Sequence, residues 1–145
     1  MSDARELAAR ALKHFNEGTT DQAPSQMQIP VTAYTDEAQF QTERRAVFFE
    51  SPIAVALSLE IPKPGDFLTQ TIMGKPLLLT RDKDGVLHCF LNVCRHRGAK
   101  VCSAEKGRQS RFSCHYHAWT YSNKGALIGV YGEDSFGDVD RASMG

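Results

Sequence analysis

Two short stretches decide how this chain is interpreted: Asn92-Val-Cys-Arg-His-Arg-Gly98 and Phe112-Ser-Cys-His-Tyr-His117. Each holds one cysteine and one histidine, Cys94 with His96 and Cys114 with His117, and seventeen residues separate the two pairs. Paired thiolates and imidazoles are the ligands of a 2Fe-2S cluster in which two histidines replace two cysteines on one iron. The spacing therefore predicts that the two cysteines hold one iron and the two histidines hold the other.

Such ligation indicates electron transfer. Neutral imidazoles in place of anionic thiolates make the cluster less negative, so it accepts an electron more readily than an all-cysteine cluster. A tetrahedral zinc site uses the same ligand types, but it usually opens with two cysteines two to four residues apart, which this chain lacks. A chance arrangement of four cysteines and five histidines in structural roles is the third interpretation.

The residues around the ligands resemble a known family. Asn92-Val-Cys-Arg-His-Arg-Gly98 and Cys114-His-Tyr-His-Ala-Trp-Thr-Tyr121 are similar to the Rieske domain of aromatic-ring-hydroxylating oxygenase large (alpha) subunits. That family's pattern runs Asn-x-Cys-x-His-Arg-Gly and then Cys-x-Tyr-His-x-Trp-x-Tyr, and the resemblance covers roughly residues 30 to 145. His115 stands where proline is usual and Ala118 where glycine is usual, and neither is a ligand position.

The resemblance also distinguishes branches of the family. Respiratory Rieske proteins clamp their ligand loops with a disulfide, and the corresponding positions here are Ala99 and Tyr116, so that clamp is not possible. The other two cysteines, Cys89 and Cys102, are expected to behave as small apolar residues. A cluster without the clamp fits the low end of the Rieske potential range, which suits reduction of a catalytic iron.

In the resembling family, a mononuclear non-haem iron is held by two histidines and one carboxylate in a separate catalytic domain. No histidine follows His117, so this chain cannot supply that triad, and we expect it to be an N-terminal fragment of an oxygenase alpha subunit. The resemblance implies that the cluster passes electrons to this iron, which inserts dioxygen into an aromatic compound. The alternative is a stand-alone Rieske ferredoxin that acts only as an electron carrier.

The same resemblance implies the partners. A ferredoxin or a flavin reductase would donate electrons, and the intact protein would assemble as a homotrimer or an α3β3 complex. The 17 basic and 17 acidic residues balance, so no nucleic-acid or membrane partner is expected. The N-terminus has no apolar core of a signal peptide, and unpaired cysteines are typical of reducing compartments, so the prediction is cytoplasmic.

The predicted fold is mainly β, a Rieske-type antiparallel sandwich or small barrel with N-terminal helices, hence α+β overall. Predicted divisions are an N-terminal helix and linker (1–29), a Rieske domain with a leading helix (30–131) and the start of a connection to a missing catalytic domain (132–145). A first helix is predicted from about Asp3 to Glu17 because apolar residues recur at helical spacing. A second is predicted after Thr35 as N-cap, ending at Ser51-Pro52 with Phe40, Val47 and Phe48 buried.

Short strands and turns are predicted beyond Ile53. The predicted strands are 54–57, 67–73, 76–81, 86–90, 119–121 and 126–128. Turns are expected at Gly74-Lys75, Asp84-Gly85 and Asn123-Lys-Gly125, and the ligand loops are expected at hairpin ends.

Four further residues flank the ligands. Gly98 either permits close approach of the backbone to the cluster or is an ordinary turn glycine. Trp119 is expected to pack over the cluster loops and shield them from water, and a role as an electron-relay ring is the alternative. Tyr116 either donates a hydrogen bond near a ligand sulfur or fills the loop, and His115 is expected to point away.

Overall fold

The computed structural model describes residues 3–145, in two compact units that meet in sequence after Gln41. The first unit contains two helical elements and most of a third, and the second, Thr42–Gly145, contains every strand that the described residues form. The helical elements are α1 (Ala4–Glu17), α2 (Thr32–Thr35), α3 (Glu37–Glu43), a π-helical turn (Arg44–Phe49) and two 3-10 turns (Ser58–Glu60, Glu133–Ser135). None of the helices among residues 3–145 has the length and apolar character needed to cross a membrane.

Helix α1 begins and ends as the sequence predicts. The Asp3 side chain accepts a hydrogen bond from the Arg5 N–H, and Gly18 ends the helix in the left-handed conformation. The apolar stripe of this helix is exposed to solvent rather than packed: Leu12 and Phe15 keep 62% and 84% of their surface accessible.

The second predicted helix is wrong in its start and in its buried side. Asp36, not Thr35, caps α3, because its carboxylate accepts from the Gln39 N–H at 2.7 Å while Thr35 closes the preceding turn α2. The helix continues as a π-helical turn, a rare form that widens the spacing between backbone partners. Phe40, Val47 and Phe48 are 40–48% exposed, so they do not form a buried face.

Two antiparallel sheets make up the rest of the second unit. Their strands are β1 (Asp66–Ile72), β2 (Lys75–Arg81), β3 (Leu87–Leu91), β4 (Lys106–Arg108), β5 (Arg111–Ser113), β6 (Thr120–Ser122) and β7 (Leu127–Gly129). The larger sheet has the order β3-β2-β1-β4 and the smaller has the order β5-β6-β7. The mainly β fold with N-terminal helices is therefore confirmed, and each sheet contributes one of the two ligand loops.

Several local predictions differ from the structure. Residues 54–57 form no strand, whereas β4 and β5 were not predicted. They have three residues each, as β6 and β7 do, but no predicted hairpin turn marks them as Asn123-Lys-Gly125 marks β6 and β7. The first hairpin turns at Met73-Gly74, one residue earlier than expected, because Ile72 already pairs with Lys75. Both turn residues have positive φ, the backbone conformation that tight two-residue hairpins require.

The core lies between the sheets and extends under the ligand loops. Phe67 of β1 meets Phe112 of β5 edge to face, with ring centroids 5.3 Å apart. The buried Thr80 hydroxyl donates to the Asn123 carbonyl at 2.6 Å, which ties β2 to the β6–β7 hairpin. Cys94, Cys114 and Trp119 belong to the same buried cluster, so the candidate site rests on the core.

Candidate metal centre

The two ligand loops close in the same way. In the first, the Cys94 N–H donates to the Ala99 carbonyl at 2.7 Å and the Gly98 N–H donates to the Cys94 carbonyl at 2.9 Å. In the second, Cys114 and Trp119 make the equivalent bond at 2.8 Å, and the Ala118 N–H donates to Cys114 at 2.9 Å. Each loop thus presents a cysteine at its start and a histidine two or three residues later.

The loops differ in their connections. The loop of Cys114 joins neighbouring strands β5 and β6 and lies at a hairpin end as predicted. The loop of Cys94 instead joins β3 and β4, which lie at opposite edges of the larger sheet, so the prediction of a hairpin end is wrong there. The two ligand pairs therefore come from different sheets.

Gly98 and Ala118 hold equivalent positions and share a positive φ, 75° and 53°. No protein atom within 4 Å would meet a Cβ on Gly98, so within the chain its requirement is conformational rather than steric. Left-handed backbone costs an L-residue roughly 1–2 kcal/mol, so Ala118 stores strain that glycine would avoid. Alanine in place of the usual glycine at position 118 therefore adds backbone strain but keeps the loop shape.

The four candidate ligands sort by depth. Cys94 and Cys114 each keep only 3% of their surface accessible, whereas His96 and His117 are half-buried. The two imidazole rings lie side by side, with centroids 4.7 Å apart and planes at 67°. Two buried thiols and two less buried, neighbouring imidazoles fit a cluster in which the cysteines hold an inner iron and the histidines an outer one.

One buried atom tests whether these residues fit such a cluster. The Nδ1 atom of His117 has no hydrogen-bond partner among the described residues, although buried polar nitrogens are nearly always satisfied. A ring nitrogen that ligates iron needs no hydrogen-bond partner, so the unpaired nitrogen fits a ligand position. Among residues 3–145, no three His, Cys, Asp or Glu side chains come close enough together to bind a single metal ion. A 2Fe-2S cluster needs no such group, because each of its irons takes only two protein ligands.

Tyr121 contacts a candidate ligand, a role that the sequence interpretation did not assign to it. Its hydroxyl oxygen lies 3.4 Å from the Cys94 sulfur and accepts a hydrogen bond from the Arg95 N–H at 3.0 Å. Burial, together with the neighbouring Cys94, raises the pKa of the Tyr121 hydroxyl, so it stays protonated and can donate to sulfur. Tyr116 was the residue considered above as a hydrogen-bond donor to a ligand sulfur. Its hydroxyl instead lies 3.5 Å from the Arg97 guanidinium.

Asn92 closes the loop that carries Cys94 and His96. Its side-chain nitrogen donates to the Cys102 carbonyl at 2.7 Å, and its side-chain oxygen accepts from the Cys102 N–H at 2.9 Å. The side chain is 1% exposed, so both bonds are shielded from water. All four cysteines are free, as the missing clamp positions implied, and this amide takes over the bracing of the loop.

Aromatic rings cover the two histidines from different sides. Trp119 stacks on His96 with centroids 4.9 Å apart and planes at 11°, and Phe136 meets the edge of the same imidazole at 5.2 Å. Burial lowers the pKa of His96, and nearby His117 and Arg97 lower it further, which favours the neutral ring that a metal requires. Tyr116 covers His117 with centroids 3.8 Å apart.

The remaining predicted residues are placed as follows. His115 is exposed at the second loop, and Trp119 is 4% exposed, in agreement with its expected packing at the cluster loops. Cys102 is buried as a small apolar residue, whereas Cys89 is exposed on β3, so that half of the prediction is wrong. Cys89 lies on an edge strand, where one side chain in two faces away from the sheet pair.

A fold of two small antiparallel sheets with paired Cys/His loops defines an iron–sulfur electron-transfer domain. The Rieske 2Fe-2S domain family matches residues 51–136, more than half of the chain. The chain belongs to the Rieske family.

Its relatives include proteins of two kinds. The chain is 37% identical to the biphenyl 2,3-dioxygenase alpha subunit of Rhodococcus jostii over 77% of its own length and 25% of that protein's. It is also 37% identical to the glycine betaine monooxygenase oxygenase subunit of Chromohalobacter salexigens, covering 81% of the chain and 26% of that subunit. The chain therefore spans about a quarter of the curated relatives that it matches.

Solved structures give the same result. The fold superimposes on naphthalene 1,2-dioxygenase from Rhodococcus sp. with a TM-score of 0.75 and 34% identity, covering 97% of this chain and 31% of that one. It superimposes on the quaternary ammonium Rieske monooxygenase CntA with a TM-score of 0.73 and 33% identity, covering 81% and 33% respectively. The matches confirm a Rieske domain related to oxygenase alpha subunits.

Proposed function

We propose that Cys94, His96, Cys114 and His117 ligate a 2Fe-2S cluster, the cysteines on the inner iron and the histidines on the outer one. The observation that carries this proposal is the unpaired, buried Nδ1 of His117 beside His96, in loops that each begin with a buried cysteine. When bound, the cluster supplies a site that takes up and releases one electron.

The chain's own residues prepare that site. Asn92 fixes the first loop, and the Tyr121 hydroxyl is held beside the Cys94 sulfur by the Arg95 N–H. Trp119 and Phe136 exclude water from one face of His96, which reduces the dielectric screening around the site. A fixed and partly dry environment lowers the reorganisation that accompanies a change in charge.

We further propose that residues 30–131 form the Rieske domain of an oxygenase alpha subunit and that 132–145 begin the connection to its catalytic domain. In this role the chain passes electrons from a ferredoxin or flavin reductase to a mononuclear non-haem iron outside it, in a homotrimer or α3β3 complex. The length of the relatives supports this role over that of a stand-alone ferredoxin. An aromatic compound is the substrate class that the dioxygenase relatives favour.

A second substrate class has support of its own. Glycine betaine monooxygenase subunits match at 36–37% identity, the same range as the biphenyl dioxygenase subunit. A quaternary ammonium compound is therefore the second candidate substrate of the whole protein. Both candidates assign the same electron-transfer role to the 145 residues.

Loading the purified chain with iron and sulfide tests the ligand assignment. We expect two irons and two labile sulfides per chain, and on reduction an electron paramagnetic resonance signal with the low average g value of mixed histidine–cysteine ligation. Replacing Cys94 or Cys114 by serine should abolish the signal, whereas Cys89→Ser, at an exposed cysteine, should leave it unchanged. A colourless protein with one zinc per chain would overturn the assignment.

A turnover assay tests the assignment to an oxygenase. The loaded chain, supplied with a reductase, oxygen and panels of aromatic and quaternary ammonium compounds, should become reduced without forming product. A longer form that includes a catalytic domain should oxidise members of one panel. Product from residues 1–145 alone would contradict the proposal that the mononuclear iron lies outside them.

A further inference from the structure

Trp119 carries the second buried polar atom without a partner. Its indole Nε1–H, like the Nδ1 of His117, is inaccessible to water and has no acceptor among the described residues. A buried N–H donor left unsatisfied loses its hydration without compensation, and such donors are rare in native proteins. Because an indole N–H can donate but cannot ligate a metal, ligation explains His117 and does not explain Trp119.

The position of Trp119 limits what the missing acceptor can be. The ring stacks on His96, lies in the loop begun by Cys114, and belongs to the buried cluster that contains both candidate cysteine ligands. The residue is 4% exposed, so bulk water does not reach its N–H. A group bound at the ligand loops, next to His96, would supply an acceptor in this dry environment.

We propose that the Trp119 Nε1–H donates a hydrogen bond to a sulfur atom of the 2Fe-2S cluster and thereby raises its reduction potential. This inference rests on the proposed function, since the cluster supplies the acceptor. Sulfur gains negative charge when the cluster is reduced, so a donor stabilises the reduced state more than the oxidised state. Trp119 is thus a positioning and tuning residue as well as a shield.

The two unpaired nitrogens then have one explanation. A cluster between the loops ligates one of them, His117 Nδ1, and accepts a hydrogen bond from the other, Trp119 Nε1. Together with Tyr121 at the Cys94 sulfur, the second loop and strand β6 would supply two side-chain donors to the same centre.

The chain contains one tryptophan, so selective labelling reports on this residue alone. We would grow the protein with tryptophan carrying 15N only at the indole nitrogen, load and reduce the cluster, and record pulsed electron–nuclear double resonance. A 15N coupling with an isotropic part is expected, because a hydrogen bond transfers spin density from sulfur. A coupling that is absent or purely dipolar would overturn the hydrogen bond.

Removal of the donor gives the energetic test. Trp119→Phe, or replacement of the single tryptophan by 3-benzothienylalanine, which keeps the ring size and lacks the N–H, should lower the potential. The expected loss in the one-electron reduction equilibrium is about threefold to tenfold, and tenfold corresponds to about 59 mV. An unchanged potential in the benzothienyl protein would overturn the proposal.

The controls separate this inference from the proposed function. Tyr121→Phe should change the potential while leaving the 15N coupling in place, because it removes the hydroxyl beside the Cys94 sulfur and keeps the indole N–H of Trp119. If the labelled parent binds no cluster, the proposed function fails. If it binds a cluster without the coupling, only the inference fails. Should Trp119→Phe not load, the coupling in the parent protein still decides the matter.

Discussion

A single buried amide braces the first ligand loop. We expect Asn92→Ala to lower the free energy of unfolding by about 2–4 kcal/mol, because it removes two shielded hydrogen bonds and strands the N–H and carbonyl of Cys102. The loop should also release iron faster to a chelator, since Cys94 and His96 lose their support. Denaturant unfolding and the loss of cluster absorbance measure the two effects.

The matched control for this variant is Asn16→Ala on the exposed face of α1. It should change stability by no more than about 0.5 kcal/mol, as is usual at surface positions. Equal stability of Asn92→Ala and the parent would show that the loop does not depend on this clamp.

The Tyr121 hydroxyl is expected to tune the cluster potential. Tyr121→Phe should lower the reduction potential, because the Cys94 sulfur loses a hydrogen-bond donor that favours the reduced state. We expect the equilibrium constant for one-electron reduction to fall about fivefold. Tyr116→Phe removes a hydroxyl that contacts Arg97 and should leave the potential in place. Redox titration of the three proteins makes the comparison, and equal shifts in both variants would argue against a sulfur hydrogen bond.

For individual residues, the sequence predicts which side chains are ligands better than it predicts which contacts hold them in place. Spacing and chemistry single out Cys94 and His96, but nothing in the letters shows that Asn92 and Cys102 meet across ten residues. Tyr121 was detectable in principle, since it stands two residues after buried Trp119 and alternate strand residues face the same side. The competing candidate, Tyr116, is nearer to the ligands in sequence yet 59% exposed.

Between strands β2 and β3, a network around one carboxylate holds the loop. Asp82 is 1% exposed and accepts from the N–H groups of Asp84 and Val86, from the His88 ring at 3.0 Å and from Lys124 at 3.2 Å. The hydrogen bond with His88 is the largest of the effects that hold the pKa of Asp82 well below its usual range, and the other donors add to it. Because Lys124 lies between β6 and β7, the network links the two sheets.

This network predicts a stability that depends on pH. A carboxylate whose pKa is lower in the folded state stabilises the fold above its unfolded pKa of about 3.9, and that contribution is lost progressively as the pH falls below it. Asp82→Asn should therefore reduce stability at pH 6 and flatten the decline between about pH 5 and pH 2. Urea midpoints measured across this range check the prediction.

A control carboxylate distinguishes this network from general acid unfolding. Asp138→Asn, at an exposed position, should keep the decline of the parent. If the stability of the Asp82→Asn protein fell with pH as steeply as that of the parent, other groups would be the cause of the acid sensitivity.

Among the elements, predictability follows length and pattern. Helix α1 and the β1–β2 and β6–β7 hairpins come close to their predicted bounds, because caps and turn residues mark them locally. The exposed faces of α1 and α3 could not be foreseen, since an apolar stripe predicts a surface to be covered and not the partner that covers it. The π-helical turn at Arg44–Phe49 likewise has no sequence signal.

The molecule as a whole has no net charge, but the surface around the ligand loops carries an excess of positive charge. The ligand loops, residues 92–100 and 112–119, expose Arg95, Arg97 and Lys100 and contain no aspartate or glutamate. If the proposed function holds, an electron donor with an acidic surface should meet this face, and its association should weaken as salt screens the attraction. The overall charge of zero would have suggested only a weak dependence.

A pair of lysine variants tests this expectation. Lys100→Gln should slow reduction by an acidic ferredoxin about twofold to fivefold at low salt and reduce the salt dependence, because a steering charge is lost. Lys83→Gln, in the turn between β2 and β3, should do neither. Stopped-flow reduction at several ionic strengths gives the rates, and identical salt profiles for both variants would refute steering by this face.

The stacked tryptophan has an optical consequence. Trp119 is the sole indole of the chain and lies against His96, in the loop that begins with Cys114. Its ultraviolet emission overlaps the broad absorption of an iron–sulfur chromophore, so resonance energy transfer should quench it when the cluster is bound. The unloaded protein should fluoresce brightly and the loaded protein weakly, which gives the chain a built-in gauge of cofactor occupancy that needs no added dye.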